Sequence, residues 1–239
     1  MRHGVLSFVL VEGDAMKKTK LILLSLLLTI AFVGSDSPQV VHAKTYLDTL
    51  YVWHSDISVI SKWECSYFNI SAVNMQVNGT GFYTYFIQGM LNAASEWSSV
   101  IGSYPIVSGY DSNTATFKVY GGTPTELATL NDFDSNDFSS GVYGVTKDII
   151  EPSYLGDYRY YDGSSYTDIC GQKKESVLSC VVNWTGVSEN RVKCSCLHET
   201  GHALGWEGHS TGTSDVMTSS PTDLTSLTNS DKGHLSQVY

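Results

Sequence analysis

One stretch constrains this chain more than any other: His198-Glu199-Thr200-Gly201-His202-Ala203-Leu204-Gly205-Trp206-Glu207-Gly208-His209. On a helix, His198 and His202 lie one turn apart on the same face, so two imidazoles can hold one metal ion. Glu199 follows the first of them and can reach a water at that metal. Gly205 lets the chain turn sharply out of the helix, and His209 can then return as a third ligand. Three neutral nitrogens leave one coordination position open, which marks a catalytic rather than a structural zinc.

A bare H-E-x-x-H also occurs by chance, and a lone histidine is more often a core or surface group. Here three of the chain's seven histidines fall within twelve residues, with a glycine where the turn requires one. Glu207 is the rival third ligand, since two histidines and a carboxylate also suit zinc.

Hydrophobic periodicity supplies the frame. Phe82 to Ile101 reads as a helix, with Tyr83, Phe86, Ile87, Met90, Ala94, Trp97 and Ile101 at helical spacing. Glu189 to Leu204 reads as a second helix, capped by Ser188 and stopped by Gly205. Leu227 to Tyr239 reads as a short third, with Thr228 as N-cap and Asp231 in its first turn. Strands are expected over 66–77, 105–110 and 114–120 (ended by Gly121-Gly122), over 141–146, and over 177–184 with Leu178, Cys180 and Val182 on one face. Residues 44–62 lack clear periodicity and read as an N-terminal arm or short pro-segment. This order of strands and helices implies an α+β domain over 63–239.

The N-terminus carries an address. Lys17, Lys18 and Lys20 precede an apolar run of 13 residues, Leu21 to Val33, too short to span a bilayer comfortably. Val41-His42-Ala43 suits signal peptidase, so residues 1–43 are expected to be a leader cleaved after Ala43. Met16 is the more natural start. Glu12-Gly13-Asp14 can be encoded by a purine-rich ribosome-binding sequence just upstream of it, which implies a bacterial source. The expected product is a secreted protein with no stable membrane insertion, and a monomer.

The formal net charge of −10 argues against nucleic acid as a partner, because no basic stripe exists to neutralise phosphates. Five cysteines follow the leader, an odd number. Cys194 and Cys196, two apart on a helix, cannot pair with each other, while Cys170 and Cys180 could close a short loop. Asp132, Asp134, Asn136 and Asp137 look faintly like a calcium loop, but the glycine and distal glutamate of an EF-hand are missing, so calcium is left without support.

With these residues in view, the sequence resembles the metzincin zinc peptidases, and among them the matrixin-like members. Ser214-Asp215-Val216-Met217 follows His209 as the Met-turn does. The tail from Leu227 to Tyr239 is similar to the matrixin C-terminal helix, and Ser179 to Asn183 to the strand before the zinc helix. The resemblance covers 178–239 well and 65–239 loosely. It implies a twisted mixed sheet with an N-terminal helix and a zinc helix packed on it, and one catalytic Zn2+. It also implies a protein or peptide substrate hydrolysed with Glu199 as general base, and Met217 as a hydrophobic floor under His198, His202 and His209. Gly141, Val142, Tyr143, Gly144 and Val145 would form an edge strand on which an extended peptide pairs antiparallel.

The sequence departs from that family in three respects. The usual spacing would put the third ligand at Gly208; here His209 comes one residue later, which a bulge at Gly208 could absorb. The pro-segment cysteine switch is absent, although Cys65 could block the zinc as a thiolate. The residues of the family's structural zinc and calcium sites are not recognisable. The other class compatible with the sequence is a secreted binding or adhesion module with a non-catalytic structural zinc; Glu199 beside the metal speaks against it.

Overall fold

The computed structural model describes residues 44–76, 81–220 and 222–239. The leader expected over 1–43, the start at Met16, and Val77 at the end of the first expected strand lie outside them.

The periodic apolar stretch forms helix α1 (Gly81–Ile101), whose Phe82, Phe86, Met90, Ala94, Trp97 and Ile101 are buried. Tyr83, expected on that face, is 44% exposed because Phe82 takes the inward position. The second helix, α3 (Glu189–Leu204), begins where Ser188 accepts a hydrogen bond from the Arg191 N–H. Trp97 donates its indole N–H to the Leu197 carbonyl at 2.9 Å and so fastens the two helices together. Trp97 and Leu197 are both fully buried, each contributing roughly 1.5–3 kcal/mol by leaving water.

Both helices pack on a five-stranded mixed sheet. Its order is β4 (Ile106–Ser108), β3 (Asn69–Asn74), β5 (Phe117–Gly122), β9 (Ser176–Val182) and β6 (Gly144–Ile150). All neighbours run parallel except β6, which is antiparallel to β9. Leu178, Cys180 and Val182 share one face of β9, as the alternation requires, and pack with Leu127, Phe133 and Phe138. Val177 and Val181 face the helices. Gly121-Gly122 does not end β5 but belongs to it, paired with Val181 and Val182. Glycine is required there because the Phe86 ring of α1 occupies the place a side chain at Gly121 would need.

A second sheet, with no counterpart in the sequence reading, has the order β1 (Tyr46–Leu50), β7 (Ser153–Tyr161), β8 (Tyr166–Lys173) and β2 (Val59–Lys62). Strands β7 and β8 form a hairpin whose turn is held by Asp162, which accepts from the N–H groups of Ser164 and Ser165. Strands β1 and β2 come from the segment without periodicity, and each pairs parallel at one edge of the hairpin.

Two short helices complete the fold. One-turn α2 (Pro124–Leu127) starts in a capping box of Thr123 with Glu126. The last, α4 (Asn229–Leu235), starts in a capping box of Thr228 with Asp231, and it ends at Leu235 rather than running on to Tyr239. Beyond it the chain is pinned: the Tyr239 hydroxyl donates to the Leu204 carbonyl at 2.6 Å and accepts from the Trp63 N–H at 3.1 Å. The result is a mixed α+β fold. Among the described residues no helix is long and apolar enough to cross a membrane.

Candidate metal centre

Helix α3 sets His198 and His202 on one face, with ring centroids 4.6 Å apart. The chain then leaves the helix at Gly205, where φ is +123°, a conformation costly for any residue with a Cβ. Gly208, at φ +67°, makes a second left-handed step. Between them these two glycines turn the chain and bring His209 back beside the helix. Its ring centroid lies 5.4 Å from that of His198 and 5.2 Å from that of His202. One nitrogen from each of the three rings lies within 4.8 Å of the others, so the cluster could hold a metal ion.

Hydrogen bonds decide which nitrogens are available. His198 Nδ1 is 2.7 Å from the Val216 carbonyl and His202 Nδ1 is 2.8 Å from the Trp206 carbonyl. A carbonyl can only accept, so both rings carry their proton on Nδ1. Burial pushes His198 down to about 4 and His202 well below the usual histidine range, so both are neutral at pH 7. Their Nε2 lone pairs then face each other across 3.0 Å with no proton between them. That contact is repulsive by itself and would be relieved by a cation shared between the two nitrogens, while the Nδ1–carbonyl bonds are the kind of outer contact that orients a metal-binding imidazole.

Glu199 stands beside this pair with only 4% of its surface exposed. Its Oε2 accepts a 2.6 Å bond from the Thr146 hydroxyl, which also contacts Ser179 Oγ at 2.8 Å. Burial raises its carboxyl to about 8, against the lowering effect of the Thr146 bond. Gly144 lies against the same carboxylate, which fills the space a Cβ there would take. Sequence reasoning missed Thr146 in this role. Its place on β6, across the sheet from Ser179 of β9, was not readable along the chain.

A second set of bonds holds the turn that supports His198. Asp231 of α4 accepts from the Val216 N–H at 3.0 Å and the Met217 N–H at 3.1 Å. Asp231 was expected only in the first turn of that helix; it also completes the capping box with Thr228. Met217 is fully buried and packs its sulfur against Gly201 of α3. The Met217 carbonyl accepts from the Ser210 N–H at 2.7 Å, tying the turn to the loop that carries His209.

Glu207, the rival to His209, is committed elsewhere. Its carboxylate lies 2.8 Å from Lys174 Nζ, an ion pair just outside hydrogen-bonding angles. Lys174 is 2% exposed and also binds Asp148 at 2.8 Å. The buried ammonium thus joins β6, the β8–β9 turn and the loop after α3. Lys174 too was invisible to the sequence reading, because its partners lie 26 and 33 residues away.

Two cavities, of about 230 and 330 Å3, open on either side of the centre, and Gly144, His198, Glu199 and His209 line both. Strand β6 is the sheet edge beside them, paired with β9 alone. It starts at Gly144, later than expected. Gly141, Val142 and Tyr143 precede it and line the smaller cavity, with the Val142 carbonyl fixed by the Trp184 indole at 2.7 Å.

Other expectations change. All five cysteines are free, so Cys170 and Cys180 form no bridge: one sits on β8 of one sheet and the other on β9 of the other. Cys65 is exposed and stands outside the histidine cluster. In the acidic loop, Lys147 of β6 reaches in, 2.6 Å from Asp137 and 3.2 Å from the Asp132 carbonyl.

No protein-family model matches this chain, and no curated protein matches it. A crystal structure of myroilysin aligns with 68% of this chain and 51% of its own, at 15% identity and a TM-score of 0.25. The chain spans about half the length of that protein. A likeness of that size leaves the functional reading to the residues themselves.

Proposed function

We propose that this chain is a secreted zinc-dependent endopeptidase of the metzincin type, with His198, His202 and His209 as metal ligands and Glu199 as general base. The observation that carries this reading is the convergence of three imidazoles, two of them with Nε2 lone pairs turned on each other, beside a buried carboxylate in an open cleft.

The donor set fits zinc: three imidazole nitrogens, two of them on rings whose outer nitrogens are already bonded to carbonyls. When bound, zinc supplies a Lewis acid that polarises the scissile carbonyl and lowers the pKa of water. Glu199 accepts the proton of the attacking water and later delivers it to the leaving amine. Thr146 orients that carboxylate by bonding one oxygen, leaving the other to exchange the proton. The free side of β6, with Gly141 to Tyr143 leading into it, receives the substrate as an extended antiparallel strand between the two cavities. Met217 forms the apolar floor that keeps α3 and the turn at Val216 in register.

The decisive experiment is cleavage of a denatured protein by the wild type with and without a chelator, beside Glu199→Gln. Chelator-sensitive cleavage that Glu199→Gln loses while keeping its zinc supports the reading. Zinc binding without cleavage would favour a binding module with a structural metal, and near-wild-type activity of Glu199→Gln would sink the mechanism.

A further inference from the structure

The loop that returns His209 has no regular structure of its own between Gly205 and Thr211. Its backbone is bonded instead to a segment far upstream. The Ser61 N–H donates to the Gly205 carbonyl at 3.0 Å, and Ser55 Oγ donates to the Glu207 carbonyl at 2.5 Å. The His209 N–H donates to Asp56 Oδ1 at 2.7 Å, while the Asp56 N–H donates to the His209 carbonyl at 2.9 Å. The Thr211 N–H donates to the His54 carbonyl at 2.7 Å. Every second residue, from 205 to 211, is therefore held by residues 54–61.

We propose that Asp56 is the positioning residue for the third metal ligand, and that residues 54–61 are a fixed part of the metal centre rather than a removable arm. The inference rests on the metal reading above. Asp56 grips His209 twice, its carboxylate accepting from the His209 N–H and its backbone N–H donating to the His209 carbonyl. The two bonds fix the backbone plane from which the imidazole projects. One additional residue lengthens a path by at most about 3.6 Å, so a loop of this length could present its histidine in several ways unless it is held. The fit is close on the other side as well. At Gly208 a Cβ would run into the Asp56 carboxylate and lie 2.8 Å from Ile57 Cγ1, so the loop is laid directly on the segment. The segment is in turn anchored, since Val59–Lys62 pairs with Cys170–Lys173 in the second sheet. Removal of residues up to 62 would take the template away with them.

An exposed aspartate that merely caps a loop would lower the stability of the metal-free protein and leave metal affinity unchanged. A positioning residue does the converse. The test measures zinc affinity of the full chain by competition with a chromogenic chelator, together with thermal unfolding of the metal-free form and the visible spectrum of the Co2+-loaded form. Asp56→Ala is expected to weaken zinc binding by about 10- to 100-fold, the range for loss of an outer partner of a ligand. It should alter the Co2+ bands and barely shift metal-free unfolding. Asp56→Asn, which keeps an oxygen acceptor, should recover affinity to within about threefold of wild type.

Folded Asp56→Ala with wild-type zinc affinity and an unchanged Co2+ spectrum would overturn the proposal. Should that variant not fold, Asp56→Glu keeps the charge but displaces the acceptor by one methylene, and wild-type zinc affinity with an unchanged Co2+ spectrum there would overturn it equally. Wild-type protein that binds zinc no better than His202→Ala would instead remove the metal reading itself.

Discussion

Thr146 on the sheet edge donates its hydroxyl to Glu199 at 2.6 Å, so the strand that would receive a peptide also sets the carboxylate that would act on it. Thr146→Val keeps the shape and removes the bond. Because that bond lowers the Glu199 pKa, its loss raises it further above about 8 in the metal-free protein. A base with a raised pKa stays protonated to higher pH, so the rising limb of the activity profile should move to higher pH. Activity at pH 7 should fall about tenfold, the scale of losing an orienting partner. A pH–rate profile of kcat/KM checks this, and an unmoved limb would dissociate Thr146 from the base.

Gly144 makes the same point by sterics. A methyl group there would overlap the Glu199 carboxylate, which has to move. Gly144→Ala should retain its metal yet lose about 100-fold in kcat, as expected for a misplacement of about 1 Å at a reacting group. Metal content and kinetics measured on one preparation separate the two effects.

The choice of third ligand is tested by a pair of variants. His209→Ala should weaken zinc binding by more than about 100-fold, beyond the loss typical of an outer partner, and abolish hydrolysis. Glu207→Ala should keep the metal, because that carboxylate serves Lys174. The reverse result would assign the ligand to Glu207.

Lys174 itself should matter for stability. Lys174→Met leaves Asp148 and Glu207, each mostly buried, without their shared cation. Urea unfolding at pH 7 should show a loss of about 3–5 kcal/mol, the cost of breaking a buried pair by removing one partner. A loss below about 1 kcal/mol would mean the triad is screened like a surface pair.

His234 predicts the acid limb of stability. It is buried between Trp206 and Trp53, and burial lowers it to about 3. The unfolded chain takes up its proton near pH 6.5 while the folded chain does not, so its contribution is whole above pH 6.5 and is lost as pH falls toward about 3. His234→Phe keeps a ring in the stack and should flatten that decline by about 1.4 kcal/mol per pH unit. Unfolding of both metal-free proteins between pH 4 and 7 checks the slope.

The parts of this molecule that were legible in sequence are those whose pattern is local. The spacing of His198 and His202, the stop at Gly205, the cap at Ser188 and the alternation along β9 all lie within one element, and the structure has them where the pattern put them. Strands β1 and β2, of five and four residues, are too short and unevenly buried to alternate. The β7–β8 hairpin announced itself only in the Asp162-Gly163-Ser164-Ser165 turn, a signal that could have been read. Lys174, Thr146 and Asp231 act through partners that only the folded chain brings near, and no spacing rule reaches them.

Asp56 and His209 are 153 residues apart, and their pairing has a consequence in time as well as in space. A chain growing from its N-terminus makes the template first and the histidine only much later. Closing so long a loop is slow and cannot precede the sheets between. If the cluster takes up a metal as proposed, tight uptake would come late and would report that residues 54–61 and the loop after α3 have come together.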